Sequence, residues 1–117
     1  MAEIVANSSL RTQPACAIID AVKPPRRIAI AIYPGVQSLD VTGPLEVFRG
    51  AAELVTRSGR DDPGYEVAVV GRSADLVETS SGLRIAADTT LAQCPLPLDT
   101  LIVAGGSGRR GAEGDPK

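Results

Sequence analysis

Histidine and tryptophan are absent from these 117 residues, and the aromatic side chains are one phenylalanine and two tyrosines. Without histidine the chain contains no Ser-His-Asp or Cys-His catalytic pair and no histidine metal ligand. So few aromatics offer no stacking platform for single-stranded nucleic acid. The two cysteines, Cys16 and Cys94, stand far apart and read as reduced thiols, not as a disulfide framework. Neither sign of charge dominates: 12 basic and 14 acidic residues leave a net charge of −2. Arg26-Arg27 and Arg109-Arg110 are only pairs, better read as solvated surface than as a nucleic-acid patch. No apolar run approaches the ~20 residues of a membrane span. The opening MAEIVANSSLRTQ lacks the basic region and apolar core of a secretory signal. These absences predict a cytoplasmic chain with no cofactor and no metal, no membrane partner and no direct contact with nucleic acid.

What is present is a composition that can build a core: 44% of the residues are hydrophobic, and the length sets one domain as the ceiling. The stretch from Arg26 to Gly59 organises the rest. Ile28 to Tyr33 is apolar and rich in β-branched residues without polar alternation, as expected of a strand buried on both faces of a parallel sheet. Pro34-Gly35 is a turn signal. A helix is predicted to open at Gly43-Pro44, with proline in the first turn and Glu46 near the positive end of the dipole. Leu45, Phe48, Ala52 and Val55 recur at helical spacing, and Gly59 provides a left-handed cap. The intervening polar loop, Val36 to Thr42, carries Asp40 at the place where open α/β sheets hold their ligands.

Upstream, residues 1–25 read as an ill-ordered extension ending in Lys23-Pro24-Pro25, with ACAIIDAV its only apolar segment. Downstream, Tyr65 to Gly71 completes a βαβ unit with a right-handed crossover. Val77-Glu78-Thr79 and Leu83-Arg84-Ile85, around Ser80-Ser81-Gly82, predict a β-hairpin whose alternating polarity suits an edge of the sheet. Asp88 is placed to cap a short helical turn through Leu91. The proline-broken CPLPLD then leads into a last buried strand within Leu98 to Ala104. The fold class predicted is α/β: a partial flavodoxin-like parallel sheet with flanking helices, three layers in full, with a hairpin at the edge. Three buried strands with one strong helix leave sheet faces uncovered, so the chain reads as the front part of a larger domain.

Three positions invite chemistry. Gly106, Gly108 and Gly111 spell the dinucleotide pattern G-x-G-x-x-G after a strand, but no helix or ribose-binding acid has room to follow. A tight turn whose backbone amides point at a ligand is the better reading. Asp40 is either a loop carboxylate that satisfies nearby amides or an acid at the ligand-binding edge. Cys94 lies in a connection, with nothing nearby to lower its pKa.

The phrases YPGVQSLDVTGPLEVF, TSSGLRIAADTTL and PLPLDTLIVAGGSG resemble the amino-terminal part of the PfpI superfamily, which has a class I glutamine amidotransferase-like fold. More narrowly they are similar to the sensor domain of GlxA-type, AraC-family transcriptional regulators, and isonitrile hydratases share them. The resemblance covers residues 26 to 116 and makes residues 26–117 the front part of a PfpI-like domain. It implies that Asp40 is the family's acid after the first strand, which in enzymes faces the nucleophile. It implies that Gly105 and Gly106 are the glycine pair whose backbone amide helps form an oxyanion hole or its ligand-binding remnant, as amides aimed at negative charge would. The nucleophile elbow and the regulator's helix-turn-helix region would both lie beyond Lys117. The expectation is therefore a non-enzymatic, small-molecule-sensing fragment of a regulator, with Asp40, Gly105 and Gly106 as ligand-binding residues, no confident catalytic residue, and a homodimer admissible. The alternatives are a fragment of a hydratase or amidase-like enzyme, with Asp40 as general acid or base, and, on the glycine pattern alone, a nucleotide-binding module.

Overall fold

The computed structural model describes residues 23–108. Strand β1 (Arg26–Ala31) lies between β2 (Tyr65–Gly71) and β6 (Thr100–Val103), and the short β5 (Thr89–Thr90) flanks β2, giving the order β5-β2-β1-β6. All three pairings are parallel. The consecutive apolar residues predicted this, because a strand between two neighbours in such a sheet has no water-facing side. β1 begins and ends two residues earlier than its apolar run, yet Ile32 N–H still donates to Val70 O at 2.9 Å. The hairpin, β3 (Leu76–Glu78) with β4 (Arg84–Ala86), pairs antiparallel as a two-stranded sheet of its own. Its place is the carboxyl end of the main sheet, where Gly35 N–H donates to Glu78 O and Ser80 N–H to Val36 O.

The helix differs most from expectation. α1 spans Ser38–Ser58, so it opens six residues before Pro44 and carries that proline inside. Proline removes one i→i−4 hydrogen bond, here the one to the carbonyl of Asp40. The first turn nevertheless forms, because Val41 is buried against the sheet and Asp40 N–H donates to Gln37 O at 3.1 Å. Asp40 therefore sits in the first helical turn and not in a loop. Gly59, at φ 66°, ends the helix in the left-handed conformation as predicted. Asp88 is a second correction. It does not cap a helix, for Thr90 caps the 3-10 turn Leu91–Gln93. The Asp88 carboxylate instead accepts from Val69 N–H at 2.8 Å, saturating the edge of β2 where β5 is too short to reach.

The core lies between α1 and one face of the sheet. Ile28 and Ile30 of β1 and their register partners Val67 and Val69 join Val41, Leu45 and Phe48 in one cluster. Phe48 meets Tyr65 with ring centroids 5.4 Å apart, and the Arg26 guanidinium lies 5.2 Å from the same Tyr65 ring. Arg26 also pairs with Asp62 at 2.9 Å. That hydrogen bond, with the Gly64 amide adding to it, holds the Asp62 carboxyl below its ordinary range.

The second face is built differently. Ala29 and Ala31 point away from the helix, in register with Leu101 and Val103. From Thr90 the chain returns to the amino end of the sheet, where Asp99 N–H donates to Arg27 O. The right-handed rule for parallel strands assigns this connection to the second face, and Pro95 and Pro97 disfavour a helix within it. Its cover is thin: Leu101 is 51% and Val103 64% exposed. The 117-residue chain is expected to bind a hydrophobic dye through this patch. The double substitution L101K/V103K should lower dye fluorescence severalfold without loss of the far-UV helical signal. Undiminished dye binding would place the exposed apolar surface elsewhere.

Candidate ligand-binding site

Three chain segments meet beyond the carboxyl ends of β1 and β6. The first is the turn after β1. Val36 at its centre is fully buried and anchors it to the core, while the flanking peptides are held by the hairpin through Glu78 and Ser80. The second is the run from Ala104 to Gly108 after β6. Gln37 N–H donates to Gly105 O at 2.7 Å, and Gly108 N–H to Gly35 O at 3.2 Å. The third is the first turn of α1, which brings Asp40 over the same junction. Asp40 Oδ2 accepts from Gly105 N–H at 3.1 Å.

The glycines are needed because backbones approach closely here. Gly106 has φ +147°, a region essentially limited to glycine. A Cβ at this position would lie 2.6 Å from Gln37 N and 2.8 Å from Val36 Cα, and would meet Gly35 O. At Gly105 a Cβ would lie 2.7 Å from Asp40 Oδ2. The pair thus lets two loop backbones and one carboxylate share a space that any larger residue would fill.

The predicted site residues therefore come together. Asp40 and Gly105 touch, and Gly106 follows directly, paired with Val36 as an isolated bridge. Among the described residues Gly106 N–H has no hydrogen-bond acceptor. The described residues end at Gly108 with no helix begun at Gly106, and the segment in which the dinucleotide pattern needs its helix, Gly111 included, lies outside them. Cys94 is half-buried in the β5–β6 connection with its sulfur 3.9 Å from Pro95 O, not at this junction. The described residues include no cluster of three side chains able to hold a metal. No described helix is long and apolar enough to cross a membrane.

Two contributors were not singled out from sequence. Tyr33 reaches over β6, its hydroxyl donating to Ala104 O at 2.7 Å. A small hydroxyl cluster borders the junction: Ser81 Oγ lies 3.1 Å from Thr79 Oγ1 and 3.4 Å from Ser38 Oγ, with Thr79 buried. Sequence carries no local signal for either, since both depend on segments about 40 to 70 residues apart. A cleft of about 400 Å³ lies elsewhere, between α1 and the edge of β2. Two of its three charged lining residues are engaged there, Arg49 donating to Val67 O and Asp88 accepting from Val69 N–H, while Glu46 is the third.

What the junction can do follows from its groups. Among the described residues it offers one carboxylate with an oxygen to spare and one amide donor without an acceptor, two residues of adjoining segments. Such a pair can hold a small polar ligand that both donates and accepts. The sequence has no histidine to activate a hydroxyl or thiol beside it.

Comparison with known proteins bears on the family and the fold. Residues 26–114 match the DJ-1/PfpI family. An isonitrile hydratase of Pseudomonas putida is 35% identical over 82 residues, 70% of this chain and 31% of that enzyme. A THiJ/PfpI family protein of Pseudomonas syringae superposes with a TM-score of 0.63 at 27% identity, over 81% of this chain and 35% of the other. An AraC family transcriptional regulator of Pseudomonas putida shares the fold, with a TM-score of 0.55 at 22% identity over 70% of this chain and 48% of that one. The chain thus spans between about a third and a half of the length of each of these relatives.

Proposed function

The chain belongs to the DJ-1/PfpI family, and from that premise we propose that it binds a small metabolite at the Asp40–Gly106 junction, as the sensing part of a GlxA-like, AraC-family transcriptional regulator. The observation that carries this reading is the contact between Asp40 Oδ2 and Gly105 N–H, next to a Gly106 amide with no acceptor among the described residues. The carboxylate is held in place by the backbone it faces and keeps its second oxygen for a ligand. The phrases shared with GlxA-type sensors support the regulatory setting, in which ligand binding would be passed to a DNA-reading segment. This chain itself, with net charge −2, is not the part that grips DNA. The cytoplasm is the compartment in which such a sensor would work.

The second reading is an enzyme of the hydratase or amidase kind, favoured by the 35% identity to an isonitrile hydratase. The two separate in one experiment. A panel of small polar metabolites is screened against the 117-residue chain by thermal shift, and isonitriles are assayed for turnover. At least one compound should raise the melting temperature without being consumed, and Asp40→Asn should weaken it by about tenfold or more, the usual weight of a hydrogen bond to a charged group. Turnover of an isonitrile that disappears in Asp40→Asn would replace the sensor reading with the enzyme one. Binding that is indifferent to Asp40→Asn would remove the junction from both.

A further inference from the structure

We propose that Tyr33 is a positioning residue of this site: its hydroxyl and the Asp40 carboxylate grip one peptide unit from opposite ends and so fix the direction of the backbone that a ligand would read. The inference rests on the ligand-binding reading of the junction and adds to it a residue outside the Asp40–Gly106 pair.

The unit is the peptide between Ala104 and Gly105. Its carbonyl accepts from the Tyr33 hydroxyl at 2.7 Å, and its N–H donates to Asp40 Oδ2 at 3.1 Å. Because the peptide is planar and trans, these two groups point in opposite directions. Rotating the plane would break both bonds at once. Such rotation is otherwise easy here, since Gly105 has no Cβ to restrict its backbone. The next peptide is held on one side only, its Gly105 carbonyl accepting from Gln37 N–H at 2.7 Å. Its other side is the Gly106 N–H, which has no acceptor among the described residues. The orientation of that amide therefore depends on the unit before it, and that unit on Tyr33.

A phenylalanine would fill the half-buried volume of the Tyr33 ring, so the hydroxyl is what the position contributes beyond packing. Ala104 is buried, and a buried carbonyl without a donor is unfavourable; Tyr33 supplies that donor from the neighbouring strand's exit. The partner at the other end, Asp40, is exposed and accepts as a carboxylate, so the clamp joins a sheltered neutral hydrogen bond to an exposed charge-assisted one.

The test uses nuclear magnetic resonance on the isotopically labelled 117-residue chain, with no ligand added. Its outcome is therefore independent of whether the site binds a metabolite. In the unsubstituted chain the Gly105 amide proton should be protected from exchange with deuterated solvent, reporting its hydrogen bond to Asp40. Asp40→Ala should abolish that protection. Tyr33→Phe should stay folded, melting somewhat lower for the lost hydrogen bond to Ala104 O, and keep the other amide signals, but reduce the Gly105 protection by more than half, because the peptide is no longer held toward Asp40. Introducing 4-aminophenylalanine at position 33, which retains a donor at the ring's end, should restore it. Undiminished Gly105 protection in Tyr33→Phe, or failure of the amino analogue to restore it, overturns the proposal. Unfolding of Tyr33→Phe overturns it too, since the hydroxyl would then be a determinant of the fold and not of the site.

Discussion

Replacing Gly106 with alanine is expected to cost about 2–6 kcal/mol of stability, the sum of a strained backbone and an overpacked junction. Two independent causes meet at this residue. Its φ of +147° belongs to a region that side-chain-bearing residues avoid, worth about 1–3 kcal/mol. The new methyl would also meet the backbone of Gly35, Val36 and Gln37, none of which is the far end of a flexible side chain. Val36 is fully buried in the core cluster, so the turn cannot retreat without opening that core. Forced overpacking of this kind adds about 1–3 kcal/mol. Gly59 is the control, since it also has positive φ, +66°, but nothing lies within 4 Å of its added Cβ. Gly59→Ala should therefore cost only about 1–2 kcal/mol, the left-handed penalty alone. Urea unfolding of the two variants decides the matter through the midpoint at constant slope. Equal losses in the two would show that the close approach of the β1 and β6 exit loops contributes nothing, and would remove the rigid junction from the account of the site.

How legible that junction was in the sequence depended on how local its causes are. The strands were readable because consecutive apolar β-branched residues, as at Ile28 to Ile32 and Val67 to Val70, fit few environments other than a covered parallel sheet. The left-handed cap at Gly59 was readable for the same reason, a single residue type meeting a single backbone need. The start of α1 was not. Pro44 is a strong local signal for a first turn, but burial of Val41 and the Asp40–Gln37 backbone contact outweigh it, and the helix forms through the proline. Asp40 was placed correctly at the carboxyl edge of β1 while its setting, loop or helix, was misjudged. The Thr89-Thr90 pairing with β2 and the Asp88 clamp on Val69 are two-residue features, too short to leave any periodicity. Tyr33 read only as the end of an apolar run, for its partner at Ala104 lies 71 residues away.

The second large effect is expected at Ile30, where truncation to alanine should remove about 2–5 kcal/mol. β1 is the strand on which the main sheet depends, flanked by β2 on one side and β6 on the other. Alternation along it separates two environments: Ile28 and Ile30 face α1, while Ala29 and Ala31 face the thin second cover. Ile30 has no exposed surface and is among the largest fully buried side chains of the described residues. Its deletion opens a cavity that β1, hydrogen-bonded on both edges, cannot close by shifting. A fold whose second face leaves Leu101 and Val103 half or more exposed holds little in reserve. Against the roughly 5–15 kcal/mol typical of a whole domain, the loss is a large fraction of the total. For a unit of this size each kcal/mol moves the melting temperature by about 4–8 °C, so Ile30→Ala should melt on the order of 10–30 °C lower or fail to fold. Leu54→Ala, on the exposed face of α1 at 67% exposure, is the matched control and should stay within about 0.5 kcal/mol of the unsubstituted chain. Thermal melts of the two, followed by circular dichroism, provide the measurement. A comparable loss in both would mean that the helix-facing side of β1 is not where the stability resides, and that the outer face of α1 is covered in solution.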